Sequence, residues 1–291
     1  VNGALLGIAL SEACALAYLI ITFLVRGKKL KGEMLHVTRT EAHVMFKVAF
    51  PIAIVAVLMP LSGFFDSVII VNMLKSSGVA QELATAQYGL LSGPVNSLIN
   101  MPIVIIMSLA VVVVPSVSVS RVQRDIDGVM LKSRLSIKLA YLIGVPSAFF
   151  FMVFAPRLLP VIYPALTPAQ LDITVKLLRV VSANIVLLST MQIYVSLLQA
   201  LDRTKSAVIS LGCAIAVKVI LSVVLTKYIG IMGGAVASFA MAGVAFLGVN
   251  IAYYKICGIH LEKSVGLNLL CGVIMGLAGL GISSLVTNNI V

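Results

Sequence analysis

Charge is what this chain has least of. Only 11% of its 291 residues are Asp, Glu, Lys or Arg, where a soluble domain carries about a quarter. A water-facing surface cannot be built from so few, so a soluble globular protein is excluded. Acid is the scarcer sign, with 10 acidic against 21 basic residues and a formal net charge of +11. No basic stripe with interleaved aromatics accompanies that excess, so we expect no nucleic-acid partner. Tryptophan is absent, which leaves any membrane-interface belt to tyrosine. The histidines, His36, His43 and His260, lie in or beside loops, and Cys14, Cys213, Cys257 and Cys271 form no CxxC pair. Neither a zinc cluster nor a disulfide scaffold follows, and the cysteines read as small apolar residues. No phosphate-binding glycine loop, GxSxG or HExxH occurs, so neither ATP-driven pumping nor the hydrolase chemistry of those motifs is encoded. We expect no enzyme and no cofactor. Transport would run on an H⁺ or Na⁺ gradient, on membrane potential, or down the substrate's own gradient.

What the chain has in abundance is uncharged length. Leu83 to Ser120 carries no charge, nor does Tyr228 to Tyr254, nor Ser264 to Val291. About 20 apolar residues suffice to cross a hydrocarbon core of about 30 Å. Backbone polar groups in lipid must be satisfied within each segment, and runs this long are helices rather than buried strands. The fold class is therefore an all-α polytopic membrane protein. Eight spans are predicted, at 3–25, 48–74, 88–119, 139–163, 174–200, 207–226, 232–254 and 265–287. The chain opens on Val1 directly before an apolar run and closes directly after one, so we expect a piece of a longer protein.

The cations sort themselves by side. If the first span ends in the cytoplasm, the cytoplasmic loops hold Arg26, Lys28, Lys29, Lys31, Arg39 and Lys47, then Arg121, Arg124, Lys132, Arg134 and Lys138. They also hold Arg203 with Lys205, and Lys255 with Lys263. The opposite side keeps Lys75, Arg157, Lys176, Arg179 and Lys227. Rich and poor loops alternate, as the positive-inside rule requires. Tyr88, Tyr163, Tyr228, Tyr253 and Tyr254 fall near span ends and are predicted to form the belt. Pro51, Pro60, Pro94, Pro102, Pro115, Pro146 and Pro160 lie inside spans, where each removes a backbone donor and favours a kink.

Polar groups inside the spans are the candidates for function, because lipid rejects them. Asp66 lies in the second span and is suited to a proton, to Na⁺, or to pairing with a cation. Gly89, Gly93, Asn96 and Asn100 share one face of the third span. Asn184, Gln192, Ser196 and Gln199 form a similar stripe on the fifth, and Ser210, Lys218 and Ser222 one on the sixth. Three such stripes are consistent with a shared hydrated cavity; the other reading is interhelical hydrogen bonding in a dry bundle. Lys218 favours the cavity. Without water it would have to pair with a carboxylate, and Glu12 and Asp66 are the acids available within spans. Small residues at Gly234, Ser238 and Ala242, and at Gly272 and Gly276, mark close helix contacts.

A family pattern runs through these segments. Pro60-Leu61-Ser62-Gly63-Phe64-Phe65-Asp66-Ser67 is followed by Tyr88-Gly89-Leu90-Leu91-Ser92-Gly93-Pro94, Asn100-Met101-Pro102 and Val114-Pro115-Ser116. Leu198-Gln199-Ala200-Leu201-Asp202-Arg203-Thr204-Lys205 and Gly230-Ile231-Met232-Gly233-Gly234-Ala235 follow later. The pattern resembles the second half of the multidrug/oligosaccharidyl-lipid/polysaccharide (MOP) exporter superfamily. Within it, the chain is most similar to the stage V sporulation protein B group of lipid-linked oligosaccharide flippases.

That resemblance implies two six-helix lobes related by pseudo-symmetry, a MATE-like arrangement. Residues 1–31 would be the last helix of the N-lobe and the start of the inter-lobe loop. Residues 32–257 would be the six-helix C-lobe, and 258–291 an extra C-terminal helix. The partners implied are the absent N-lobe, membrane lipids and a lipid-linked oligosaccharide in a bacterial plasma membrane. The implied activity is movement of an undecaprenyl-pyrophosphate-linked sugar precursor to the outer leaflet by alternating access. Candidate cavity residues are Lys218, Asp66, Asn96, Asn100, Asn184, Gln192, Gln199 and Arg203. Arg121, Arg124 and Lys205 could also draw a pyrophosphate from the cytoplasmic side. Two alternatives stay open: a multidrug or cation antiporter of the same superfamily, and a non-transporting scaffold in cell-envelope assembly.

Overall fold

The computed structural model describes residues 2–27 and 39–257. Two compact units divide the chain, one up to Lys47 and one from Val48. In the first, α1 (Asn2–Gly27) is a continuous helix. Its apolar side chains are presented outward, Leu10 at 68% and Tyr18 at 69% exposure, a surface suited to lipid or protein rather than water.

The second unit is built from α-helices. After α2 (Arg39–Ser76) come α3 (Gln81–Leu90), a π-helical turn (Leu91–Val95) and α4 (Asn96–Val122). Then follow α5 (Ile126–Ile162), α6 (Pro168–Ser182), α7 (Asn184–Ala200), α8 (Thr204–Ile229) and α9 (Ile231–Cys257). Among the described residues, five helical segments are long and apolar enough to cross a membrane: Met45–Ser76, Gln81–Val122, Ile126–Ile162, Thr204–Ile229 and Ile231–Cys257. This is a multi-pass membrane protein. The predicted span at 265–287 and the Gly272/Gly276 contact lie outside the described residues.

Several boundaries differ from the sequence reading, each for a physical reason. The fifth span is two helices, α6 and α7, separated at Ala183. Thr167 and Gln170 cap the start of α6 reciprocally, with Pro168 in its first turn, which satisfies donors the helix leaves open. The fourth span starts at Ile126 instead of 139, so Lys132, Arg134 and Lys138 ride on α5 rather than on a loop. Asp125 caps that extension by accepting from Gly128 N at 2.9 Å. The prolines divide into two classes. Helices α2, α4 and α5 continue through Pro51, Pro60, Pro102, Pro115, Pro146 and Pro160. At Pro94 the winding changes to a π turn, with Asn96 N donating to Leu91 O.

Helices α8 and α9 form a tight hairpin. Gly230 turns the chain at φ 63° and ψ −146°, a region essentially reserved for glycine. Three residues on, a Cβ at Gly233 would lie 2.3 Å from the Leu225 carbonyl carbon, so the absent side chain lets the backbones touch. Gly234 receives Ile70 of α2 in the same way, with Cδ1 2.5 Å from where a Cβ would stand.

The core has two buried apolar clusters. One gathers Ile70, Leu74, Leu98, Leu159, Leu177 and Ile231 toward the helix ends near Ser76 and Gly230, the side that the cation bias predicts to be outer. The other gathers Ile106, Val117, Ile137, Leu197, Leu211 and Tyr253 toward the opposite ends, predicted to be cytoplasmic. Tyr253 is a correction to the predicted belt. It is 1% exposed, and its ring packs on Tyr194 with centroids 5.4 Å apart. Tyr228, 78% exposed, has the exposure a belt residue needs.

Candidate functional site: a polar cavity around a buried ion pair

Asp66 and Lys218 meet inside the second unit. Asp66 sits about ten residues before the outer end of α2, and Lys218 about eleven before the outer end of α8, so each lies roughly 15 Å of helix rise from that end. The α8–α9 turn at Gly230 and the α2–α3 connection share that side of the bundle, which sets the two side chains at matching depth. Lys218 Nζ donates to Asp66 Oδ2 at 2.6 Å and to Ser62 Oγ at 3.0 Å. Ser62 stands four residues before Asp66, on the same helix face. Its hydroxyl lies 3.6 Å from Met241 Sδ on α9. The pair is nearly enclosed, with the Lys218 side chain 9% and the Asp66 side chain 16% exposed. An ammonium and a carboxylate withdrawn from water this far hold their charges only because each has the other.

A cavity of about 230 Å³ opens beside them. Asn96 and Asn100, one helical turn apart on α4, form one wall, and Asn184 at the first turn of α7 forms another. Asn184 Oδ1 is buried and makes no hydrogen bond to the protein. A buried acceptor on a polar wall is satisfied by water or by a ligand donor. Tyr88 enters from α3, its hydroxyl donating to Gly63 O at 3.4 Å.

Both helix irregularities border this cavity. Leu91 and Asn96, at the edges of the π turn, line it, and so do Val181 and Asn184, on either side of the break at Ala183. Irregular backbone at membrane depth is tolerated where protein buries it or where it faces a water-filled cavity, and π turns concentrate at functional sites.

The candidate residues thus separate. Asp66, Lys218, Asn96, Asn100 and Asn184 line one cavity. Gln192 and Gln199 are half-buried on α7 outside it, and Arg203 and Lys205 are exposed at the cytoplasmic end of α8. Arg121 is paired instead with Asp202, at 3.7 Å. Ser62, Tyr88, Ser238 and Met241 join the lining without having been singled out for it. Ser62 was legible from its i, i+4 relation to Asp66, and Ser238 from its place in the small-residue stripe. Among the described residues, no three His, Cys, Asp or Glu side chains gather to hold a metal.

Comparison with known proteins now places this architecture. Residues 2–291 match the family model described as lipid II flippase MurJ. The chain belongs to the lipid II flippase MurJ family. Among curated relatives, stage V sporulation protein B of Bacillus subtilis (strain 168) is 26% identical over 241 residues, covering 81% of this chain and 45% of that protein. Solved structures share the fold, two of them as follows. One is an outward-facing multidrug resistance MATE family transporter of the MOP superfamily, at 18% identity and TM-score 0.59, covering 81% of this chain and 52% of the other. The second is a MOP superfamily transporter from Pyrococcus furiosus, whose binding pocket is described as reversed in polarity, at 17% identity and TM-score 0.59 with the same coverage. The chain spans about half the length of the proteins it matches.

Proposed function

We propose that this chain supplies the C-lobe of a transporter that moves an undecaprenyl-pyrophosphate-linked sugar precursor from the inner to the outer leaflet of a bacterial plasma membrane. Its six-helix lobe is read at residues 32–257, of which the structure describes 39–257. The rest of the longer protein contributes the opposing wall, and the two lobes alternate access between them. The role is transport rather than catalysis.

The observation that carries this reading is the polar cavity bordered by two breaks in helix geometry, with a buried ammonium at its edge. A pyrophosphate-sugar head needs water and cations along its path, while its lipid tail stays in the bilayer. Asn96, Asn100 and Asn184 offer donors and acceptors to a sugar. Lys218 offers a charge to the pyrophosphate, and Asp66 holds that charge in the substrate-free state. Arrival of the anionic head lets Lys218 exchange one anion for another, and a proton or Na⁺ on Asp66 would favour the exchange. A cation antiporter is less well served by this wall, because its acid, Asp66, is already occupied by Lys218.

Depletion of the full-length parent in a bacterial host tests the proposal. Lipid-linked cell-wall precursor exposed on the outer leaflet is expected to fall, to recover with wild type, and to stay low with Lys218→Ala or Asp66→Asn. Unchanged exposure together with altered sensitivity to cationic dyes would instead favour the antiporter.

A further inference from the structure

A second polar groove lies away from the cavity, on the cytoplasmic half of the α8–α9 hairpin. Its volume is about 330 Å³, and it shares no lining residue with the central cavity. The helices run antiparallel here, so residues at one depth come from opposite ends of the two segments. At the open end of the hairpin stand Arg203, which precedes the first turn of α8, and Lys255, in the last turn of α9. Ser206 and Ser210 follow one and two turns deeper on α8. Ile209 and Ile251 flank them, 66% and 53% exposed. Gly248 forms the floor: a Cβ there would stand 2.8 Å from the Cβ and Oγ of Ser210. The groove is thus charged at its mouth and hydroxylated along its length, with exposed isoleucines at its sides, over roughly 10 Å of depth.

Among the described residues, neither Arg203 nor Lys255 has an acidic partner, and the acid next to Arg203 in sequence, Asp202, is engaged by Arg121. The Ser210 hydroxyl donates to the Ser206 backbone carbonyl at 2.9 Å, while among the described residues the Ser206 hydroxyl has no hydrogen-bond partner and can serve a ligand. Basic pockets between transmembrane helices on the cytoplasmic side are suited to anionic lipid headgroups.

We infer that the groove formed by Arg203, Ser206, Ser210 and Lys255 binds the phosphodiester headgroup of an anionic glycerophospholipid of the cytoplasmic leaflet. Arg203 and Lys255 clamp the phosphate, Ser206 donates to a phosphate oxygen, and the acyl chains run down Ile209 and Ile251. A phospholipid fits better than the transported head group, because the groove has no amide-lined wall for a sugar and is flanked by exposed isoleucines.

The test uses the purified full-length parent and native mass spectrometry of retained lipid, with phosphatidylglycerol and phosphatidylcholine offered together. Wild type is expected to retain phosphatidylglycerol selectively. Arg203→Gln and Lys255→Gln should each weaken it about fivefold, and the double variant by roughly twenty- to thirtyfold. Ile209→Trp, which fills the groove with both charges kept, should abolish selective retention and guards against misfolding of the charge variants. Phosphatidylglycerol retained equally by wild type, the single charge variants and Ile209→Trp would overturn the site. So would its displacement in wild type by equimolar polyprenyl pyrophosphate, which would assign the groove to the transported lipid.

Discussion

The Lys218–Asp66 and Arg121–Asp202 ion pairs each join distant parts of the second unit, and they differ in everything but charge. Lys218 and Asp66 lie 2.6 Å apart with side chains 9% and 16% exposed, in the outer half of the bundle. Arg121 and Asp202 lie 3.7 Å apart at the cytoplasmic rim, 46% and 64% exposed. The backbone draws the same contrast. The outer turns place glycine at positive φ, Gly78 at 89° and Gly230 at 63°, whereas the cytoplasmic turns place Arg124 at 57° and Asp202 at 60°. The outer half is closely specified, because burial makes each polar group depend on its partner. The rim is washed by water and salt, so its charges are available for topology and for lipid.

The sharpest way to break that comparison is to remove one member of the buried pair. Lys218→Met leaves Asp66 enclosed without its cation and is expected to cost about 3–5 kcal/mol of stability. Adding Asp66→Leu should restore most of it, since two apolar side chains replace a pair that was expensive to bury. Denaturant titration of the purified parent reads both. A small loss in the single variant would mean that the pair is solvated like the one at the rim.

A middle-sized effect belongs to the outer turn. Gly230→Ala forces a side chain into a backbone region it avoids and is expected to cost about 1–3 kcal/mol. It should also loosen the α8–α9 hairpin, visible as faster amide exchange around Gly233. Exchange and stability equal to wild type would show that the turn relaxes without cost.

The smallest effect is expected at the rim. Arg121→Ala should change stability by less than about 1 kcal/mol, with the difference shrinking as salt is raised. A loss as large as that of Lys218→Met, insensitive to salt, would erase the distinction between the two regions.

Much of this was legible in the sequence. Uncharged runs of membrane length give helices whatever their internal details, so the spans and the fold class follow from composition. The Lys218–Asp66 contact was legible in outline, because the alternatives to water for a mid-span lysine were two acids. The break at Ala183 was not: Val180, Val181, Ser182, Ala183 and Asn184 include neither proline nor glycine. Pro94 announced a disturbance, but not that the helix would widen into a π turn there while running on through Pro102 and Pro115. Lys132, Arg134 and Lys138 suggested a loop because they are charged, yet a helix that leaves the membrane can carry charge into water. Gln192 and Gln199 share a stripe with Asn184, but they lie deeper along α7, past the cavity. Tyr253 sits near a span end as a belt residue should, and packing against Tyr194 draws it inward.

The central claim is that the cavity beside Lys218 and Asp66 is hydrated and lies on the transport route. It is tested most directly by a single cysteine at Asn100 in the full-length parent, with Cys14, Cys213, Cys257 and Cys271 replaced, probed from outside the cell by a membrane-impermeant thiol reagent. The account predicts labelling that changes when lipid-linked precursor is supplied or depleted. No labelling under either condition, or labelling indifferent to precursor, would contradict it.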